Sequence, residues 1–260
     1  MTTVLLVRHG LTALTGPVLA GWTPGVHLDD RGRAQVAALA ARLRDLPLAA
    51  VVTSPLERCR ETADLILAER DGSTPSHVDD RFGEVRYGDW TGEKLETLAK
   101  DPLWPVVQAH PSAVRFPGAD GESMAGAQHR AISAIRDWNA RLGDDAVYLV
   151  CSHGDIIKAI VADALGLHLD GFQRIQAAPA SLSAIRYTGL RPFLVRLNDI
   201  GGAVDGLLPP PPEPEAGAAR TGTGPGDAAG SAAAGGEADR AGATGARAGG
   251  DGDAPVGGGA

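Results

Sequence analysis

The chain has 260 residues and a formal charge of −8, and its composition changes abruptly near the C-terminus. From Pro209 to Ala260, 30 of 52 residues are Ala or Gly, seven are Pro, and Val256 is the one large aliphatic. Such a segment buries too little apolar surface to offset its ordering entropy. The expectation is a globular domain over 1–208 and a disordered Pro/Ala/Gly-rich tail over 209–260. The charge divides evenly, −4 in each part, so neither carries the basic excess of a nucleic-acid binder. No apolar run approaches the ~18 residues of a membrane span, and MTTVLLVRHG lacks the basic n-region of a signal peptide. Two cysteines, Cys59 and Cys151, exclude a disulfide framework, and a cytoplasmic protein is expected. Of 24 basic residues 21 are Arg, so a single Arg is informative only where its position is special.

Thr3–Val7 is a short β-branched apolar run ending in Arg8-His9-Gly10, the pattern of a buried strand that delivers a loop. Val36, Leu39, Ala40, Leu43 and Leu46 recur at helical spacing, which predicts a helix over about Asp30–Leu46, stopped by Pro47. Ala49–Thr53 reads as a second strand, and Pro55 as the start of a helix running to about Glu69. Between Asp71 and Gly121 the periodicity weakens into turn signals, the mark of an insertion over the active face. A helix over about Ser123–Leu142, a strand over Ala146–Cys151 ending in Ser152-His153-Gly154-Asp155, and a helix through Leu165 follow. Strands Leu182–Tyr187 and Phe193–Leu197, joined by a hairpin near Gly189, close the domain. This alternation predicts an α/β sandwich around a mostly parallel sheet. No repeat of 20–50 residues is evident.

Ligands of open α/β sheets lie beyond the carboxyl ends of strands, where helix N-termini favour anions. Three such ends here carry chemistry: Arg8-His9-Gly10, Thr53 through Arg58, and Ser152-His153-Gly154. Two histidines and two arginines at one edge form a compact site for a phosphate dianion, because guanidinium offers a bidentate fork. A neutral imidazole there can attack phosphorus while the arginines neutralise the phosphoryl oxygens. The departing alcohol then needs an acid, for which Glu84 in the insertion is the first candidate and Glu122 the second. Ser123, which follows Glu122, is explained by N-capping of a helix. The remaining histidines lack ligand spacing, so no metal is expected. Neither cysteine has an Arg six positions later, which argues against cysteine-dependent phosphatase chemistry.

With these residues in place, the sequence resembles the histidine phosphatase superfamily, the phosphoglycerate mutase-like family. The signature R-H-G-x-T matches Arg8 to Thr12, and T-S-x-L-x-R-x-x-x-T-A matches Thr53 to Ala63. E-x-x-x-G-x-x-x-G matches Glu84, Gly88 and Gly92, and S-H-G matches Ser152 to Gly154. The resemblance implies a three-layer α/β/α sandwich, His9 as the phosphorylated nucleophile, Glu84 as the acid and His153 as a catalytic contact to the phosphate. It further implies Arg8, Arg58, Thr15 and the Gly154 N–H as phosphate or substrate ligands, and no cofactor. Leu11 and Thr15 stand where many members have Glu and Asn, which bears on substrate preference. The segment around Glu84 is similar to the phosphatase branch, so hydrolysis of a small phosphate monoester is favoured over mutase-type transfer or non-catalytic binding. The oligomeric state is left open. If the 209–260 segment packs on nothing, its deletion leaves the melting temperature and turnover unchanged. Thermal denaturation and a phosphate-release assay check this, and a drop of several degrees would contradict it.

Overall fold

The computed structural model describes residues 1–70 and 72–201. The 209–260 tail, and the expected boundary at 208, lie outside the described residues. Strands β1 (Thr2–Arg8), β2 (Ala50–Thr53), β3 (Ser76–Val78), β4 (Val147–Ser152), β5 (Leu182–Tyr187) and β6 (Pro192–Asp199) form one sheet in the order β3-β2-β4-β1-β5-β6. The first four in that order run parallel, and β5 and β6 join antiparallel. The sheet is therefore mixed, parallel over four strands, three of which carry the site, and antiparallel at one side.

Alternation along the strands explains the layers. Val4, Leu6, Val52, Tyr148 and Val150 point to one face, where α5 (Met124–Leu142) and α6 (Gly154–Ala164) cover them with Met124, Ile135, Trp138, Ile157 and Ile160. Leu5, Val7, Val51, Leu149 and Cys151 point to the other, against Val36, Leu39 and Leu43 of α1 (Asp30–Leu43) and Cys59, Ala63 and Ile66 of α2 (Glu57–Ala68). Each fully buried aliphatic contributes roughly 1.5–3 kcal/mol relative to exposure. The Asp29 side chain caps α1 by accepting from Gly32 N–H at 2.7 Å. Ser123 caps α5 through Gly126 N–H at 3.0 Å, as its position predicts.

The differences from the sequence reading are local. Helix α1 ends at Leu43, and Leu46 closes the following turn through a bond to the Leu43 carbonyl. Helix α2 starts at Glu57, so Pro55 precedes it by two residues. The segment read as an insertion contains β3, which pairs with β2. It also contains two short helices, α3 (Leu95–Leu98) and α4 (Trp104–Ala109). That segment is folded around Tyr87, Trp90 and Phe116, whose rings meet edge to face at 5.0 and 5.5 Å. Gly88 permits this packing. Its φ of +57° suits glycine, and a Cβ there would lie 1.8 Å from the Pro117 carbonyl oxygen.

Candidate active site

Register brings the three chemical segments together. Arg8 pairs with Ser152 across β1 and β4, and Thr53 of β2 pairs with Cys151. The chain leaves all three strands at one level. His9 N–H donates to the Ser152 carbonyl at 3.0 Å and Ser54 N–H to the Cys151 carbonyl at 3.0 Å, extending the ladder into the site. Helices α2 and α6 start beside it with no side-chain N-cap bond, which leaves positive potential at that edge.

Arg58, on the first turn of α2, is 2% exposed. Its Nε donates to His9 Nε2 at 3.3 Å, and its Nη2 donates to the Gly21 carbonyl at 2.8 Å and to His153 Nδ1 at 3.2 Å. A guanidinium can only donate, so both imidazole nitrogens facing it are unprotonated. The opposite nitrogens fit this assignment. His9 Nδ1–H donates to the Gly10 carbonyl at 2.8 Å, and His153 Nε2–H to Ser54 Oγ at 2.8 Å. Both rings are neutral. Burial first, then the Arg58 and Arg8 charges, hold His9 well below the usual imidazole range, and burial and Arg58 do the same to His153. The rings meet edge-on with centroids 5.2 Å apart. Arg58 Nη1 is buried without a hydrogen-bond partner among the described residues.

Arg8, His9, Thr15, Arg58 and Glu84 all line one small cavity, together with Thr12, Leu14, Val18, Ala20, Gly21 and Tyr87. Its volume is about 20 Å³, on the scale of a single water. Arg8 is anchored through Nη1 to the Ala177 carbonyl at 2.7 Å. Thr15 Oγ1 accepts from Thr12 N–H at 3.0 Å. His153 sits behind His9 and Arg58, and Gly154 begins α6 next to it. Neither His153 nor Gly154 is among the residues that line the cavity. Among the described residues no cluster of three or more His, Cys, Asp or Glu side chains is placed to hold a metal ion.

The two candidate acids part here. Glu84 lines the cavity, and its carboxyl is pushed up to about 7, by burial first and by Asp155 second, against the Val85 N–H, Arg58 and Arg8. Glu122 instead grips Arg130 through both carboxylate oxygens, at 2.6 and 3.1 Å, and accepts from Arg86 N–H at 2.8 Å. Arg130 in turn donates to the carbonyls of Arg81, Gly83 and Glu84 at 2.6, 2.8 and 2.9 Å. Trp22 Nε1 donates to the Glu84 carbonyl as well, at 2.6 Å. Glu122 thus positions the main chain that carries Glu84.

A buried polar group beneath the site escaped the sequence reading. Asp155 accepts from Tyr87 Oη–H at 2.6 Å and from Lys158 Nζ at 3.3 Å, and Lys158 also donates to Gln173 Oε1 at 2.5 Å. Asp155 is fully buried and Lys158 is 2% exposed. The available signal was rarity, since Lys158 is one of three lysines in a chain that otherwise uses Arg. Asp155 directly follows the S-H-G step, yet nothing in the sequence marks Tyr87 or Lys158 as its partners.

Comparison with known proteins agrees with this geometry. The family description "Histidine phosphatase superfamily (branch 1)" matches residues 4–200, and the chain belongs to that superfamily. The adenosylcobalamin/alpha-ribazole phosphatase of Salmonella typhimurium is 40% identical over 181 residues, covering 69% of this chain and 88% of the relative. The glucosyl-3-phosphoglycerate phosphatase of Mycolicibacterium vanbaalenii is 30% identical over 177 residues, covering 65% and 76%. Among solved structures, Bacillus stearothermophilus YhfR superposes with a TM-score of 0.68 at 26% identity, over 77% of this chain and 98% of that one. These relatives by name include phosphatases of small phosphorylated metabolites. No helix among the described residues is long and apolar enough to cross a membrane.

Removing one member of the Asp155–Lys158 pair breaks a buried ion pair. Lys158→Met is therefore expected to cost roughly 3–5 kcal/mol in urea denaturation, and Asp155→Asn with Lys158→Met to recover most of it. Additive losses in the double variant would show that the pair is not coupled.

Proposed function

We propose that the protein is a phosphomonoesterase that hydrolyses a small phosphorylated metabolite through a phosphohistidine at His9. The observation that carries this reading is the state of His9. Its Nε2 bears a lone pair in a cavity shared with two guanidinium groups and a carboxyl that retains its proton near neutral pH. In this reading the phosphate takes hydrogen bonds from Arg8 and from the unpartnered Nη1 of Arg58. His9 Nε2 attacks phosphorus as the ester P–O bond breaks, and the departing alkoxide takes the proton of Glu84. The resulting carboxylate then removes a proton from water, whose oxygen attacks the phosphohistidine. Inorganic phosphate leaves, His9 returns to neutral imidazole and Glu84 regains its proton. His153, held neutral between Arg58 and Ser54, keeps Arg58 in place and turns toward the phosphate once it is bound. Thr15 and the Gly154 N–H are further ligands in this scheme.

The small volume of the cavity, about 20 Å³, favours a second reading, a mutase in which a shielded phosphohistidine returns its phosphoryl group to a bound acceptor. Phosphate release from a metabolite panel in the presence of a chelator, run beside a mutase assay, decides between the two. Net phosphate release identifies the hydrolase, and isomerised ester without release identifies the mutase.

His9→Ala is expected to lower kcat on p-nitrophenyl phosphate by at least ~10³-fold with an unchanged melting temperature, because the covalent route is lost. The wild-type protein should carry an acid-labile, base-stable phosphoryl label. Substantial turnover by folded His9→Ala would falsify the phosphohistidine route.

Glu84 gives a distinct signature. Its proton is lost as pH rises through about 7, so kcat/KM for an alkyl phosphate should fall above that pH. Turnover of p-nitrophenyl phosphate, whose leaving group needs no proton, should lack that limb. Glu84→Gln is expected to slow the alkyl ester by ~10²–10⁴-fold, to abolish its alkaline limb and to affect the aryl ester far less. Equal losses on both esters would reassign Glu84 to binding.

A further inference from the structure

A volume of about 20 Å³ holds a single water, so the alcohol half of an ester lies outside the cavity at His9. A second cavity, of about 330 Å³, adjoins it. Gly21 and Tyr87 line the first, and Trp22 and Gly88, the residues that follow them, line the second. Glu84 belongs to the first and Arg86 to the second, so one short segment borders both. Thr91 of the second packs on Gly21, where a Cβ would lie 3.0 Å from Thr91 Oγ1 and from Tyr87 Cδ2 alike. The main chain fixes these walls. Arg86 N–H donates to Glu122 Oε1 at 2.8 Å, and its carbonyl accepts from Glu122 N–H at 2.9 Å. Asp89 N–H donates to the Pro117 carbonyl at 2.9 Å, and a bond of 3.2 Å from Gly121 N–H to the Gly118 carbonyl closes the turn that carries Ala119 and Asp120.

The polar side chains around the second cavity are fixed at the base and open at the tip. Among the described residues, the side chains of Asp89, Thr91 and Asp120 make no hydrogen bond or ion pair, and Arg86 makes only its stacking contact over the Trp22 ring at 3.9 Å. One guanidinium, one hydroxyl and two carboxylates give a lining with strong donors and strong acceptors together. Hydroxyl groups answer both kinds, donating to the carboxylates and accepting from the guanidinium. At ~30 Å³ for each water-sized group, the space takes on the order of ten non-hydrogen atoms, a six-membered ring with its substituents. We propose that the second cavity receives the alcohol half of the ester and takes a polyhydroxylated ring, with Asp89 and Asp120 accepting from its hydroxyls and Arg86 donating to its oxygens. The proposal rests on the phosphomonoester reading of the first cavity and adds the subsite and chemical class of the alcohol.

Glucose 6-phosphate and cyclohexylmethyl phosphate provide a matched pair, both primary esters on a six-membered ring, one hydroxylated and one bare. Calorimetric Kd values on His9→Ala, which binds without turning over, should favour glucose 6-phosphate by about tenfold or more, the factor expected of one hydrogen bond to a charged group. Inhibition of wild-type p-nitrophenyl phosphate hydrolysis by the two compounds gives the same ratio if His9→Ala folds poorly. Asp89→Ala combined with Asp120→Ala should narrow the ratio several-fold, as should Arg86→Ala, with melting temperatures checking that each variant is folded. Equal affinities, tighter binding of the bare ring, no binding of either compound, or an unchanged ratio in both folded variants would overturn the proposal. Tighter binding of O-phosphoethanolamine than of glucose 6-phosphate would overturn it too, by reassigning the carboxylates to an ammonium. Hydrolysis of p-nitrophenyl phosphate without the preference sinks the proposal alone, whereas the preference without phosphate release from any ester sinks the phosphatase reading alone.

Discussion

Arg58 is a charged group with five donors and no acceptor, buried between two imidazoles, and much of the site follows from that placement. Because it can only donate, it fixes the tautomer of both histidines, keeps both neutral and engages the His9 Nε2 lone pair at the wall of the cavity. Protonating either ring would set two cations in contact out of water. The backbone around it serves the same end, since Gly21 gives its carbonyl to Nη2 and Thr62 Oγ1–H donates to the Arg58 carbonyl while accepting from Gly10 N–H. The threonine of the T-S-x-L-x-R-x-x-x-T-A signature thus ties α2 to the loop carrying His9. One guanidinium donor, Nη1, stays unpartnered at a desolvation cost on the order of 1–3 kcal/mol, which binding an anion would relieve.

The second constraint is that two carboxyl groups near one another have different partners. Asp155 has Lys158 and the Tyr87 hydroxyl as partners, whereas the Glu84 side chain accepts from Val85 N–H at 2.9 Å. Asp155 is held by an ammonium and a phenolic hydroxyl. Its charge, added to burial, favours the proton on Glu84, the division of roles that separates paired acids elsewhere. Holding Glu84 in that position falls to Arg130 and Glu122, with Trp22 and Arg130 both donating to its carbonyl. Glu84 therefore sits on a clamped segment, despite a local sequence of turns and glycines.

What the sequence makes legible follows the range of the interactions involved. The strand ends carrying Arg8, His9 and His153 show because an apolar run breaks abruptly into polar residues, and parallel pairing then sets them side by side. Arg58 is recognisable through its spacing within one helix turn and a matching signature. The three-residue strand β3 is hidden because Ser76 and Val78 are exposed and leave no apolar alternation. The core of the 80–122 segment is hidden for another reason. Tyr87, Trp90, Val107 and Phe116 are distant from one another in sequence and converge through turns that have no period. Arg130 and Glu122 lie eight residues apart, so their ion pair and its hold on Glu84 exist in tertiary structure alone.

The departure at position 11 can be placed in the same terms. Gly10 and Gly32 bring the His9 loop and the first turn of α1 into backbone contact. A Cβ on Gly10 would lie 2.7 Å from the Gly32 carbonyl oxygen, and one on Gly32 would lie 2.1 Å from the Leu11 carbonyl oxygen. Leu11 is then held through its main chain, with its N–H donating to Gln35 Oε1 at 3.3 Å and its carbonyl accepting from Asp29 N–H at 3.0 Å. None of these bonds uses the Leu11 side chain. Leu can therefore replace the Glu common in the family without disturbing the geometry of His9. The two glycines and Gln35 cannot be exchanged so freely, because a side chain at either glycine would separate the loop from the helix that supports it. The departure therefore leaves His9 in register and changes the polarity of a side chain that the loop does not need for its own fold.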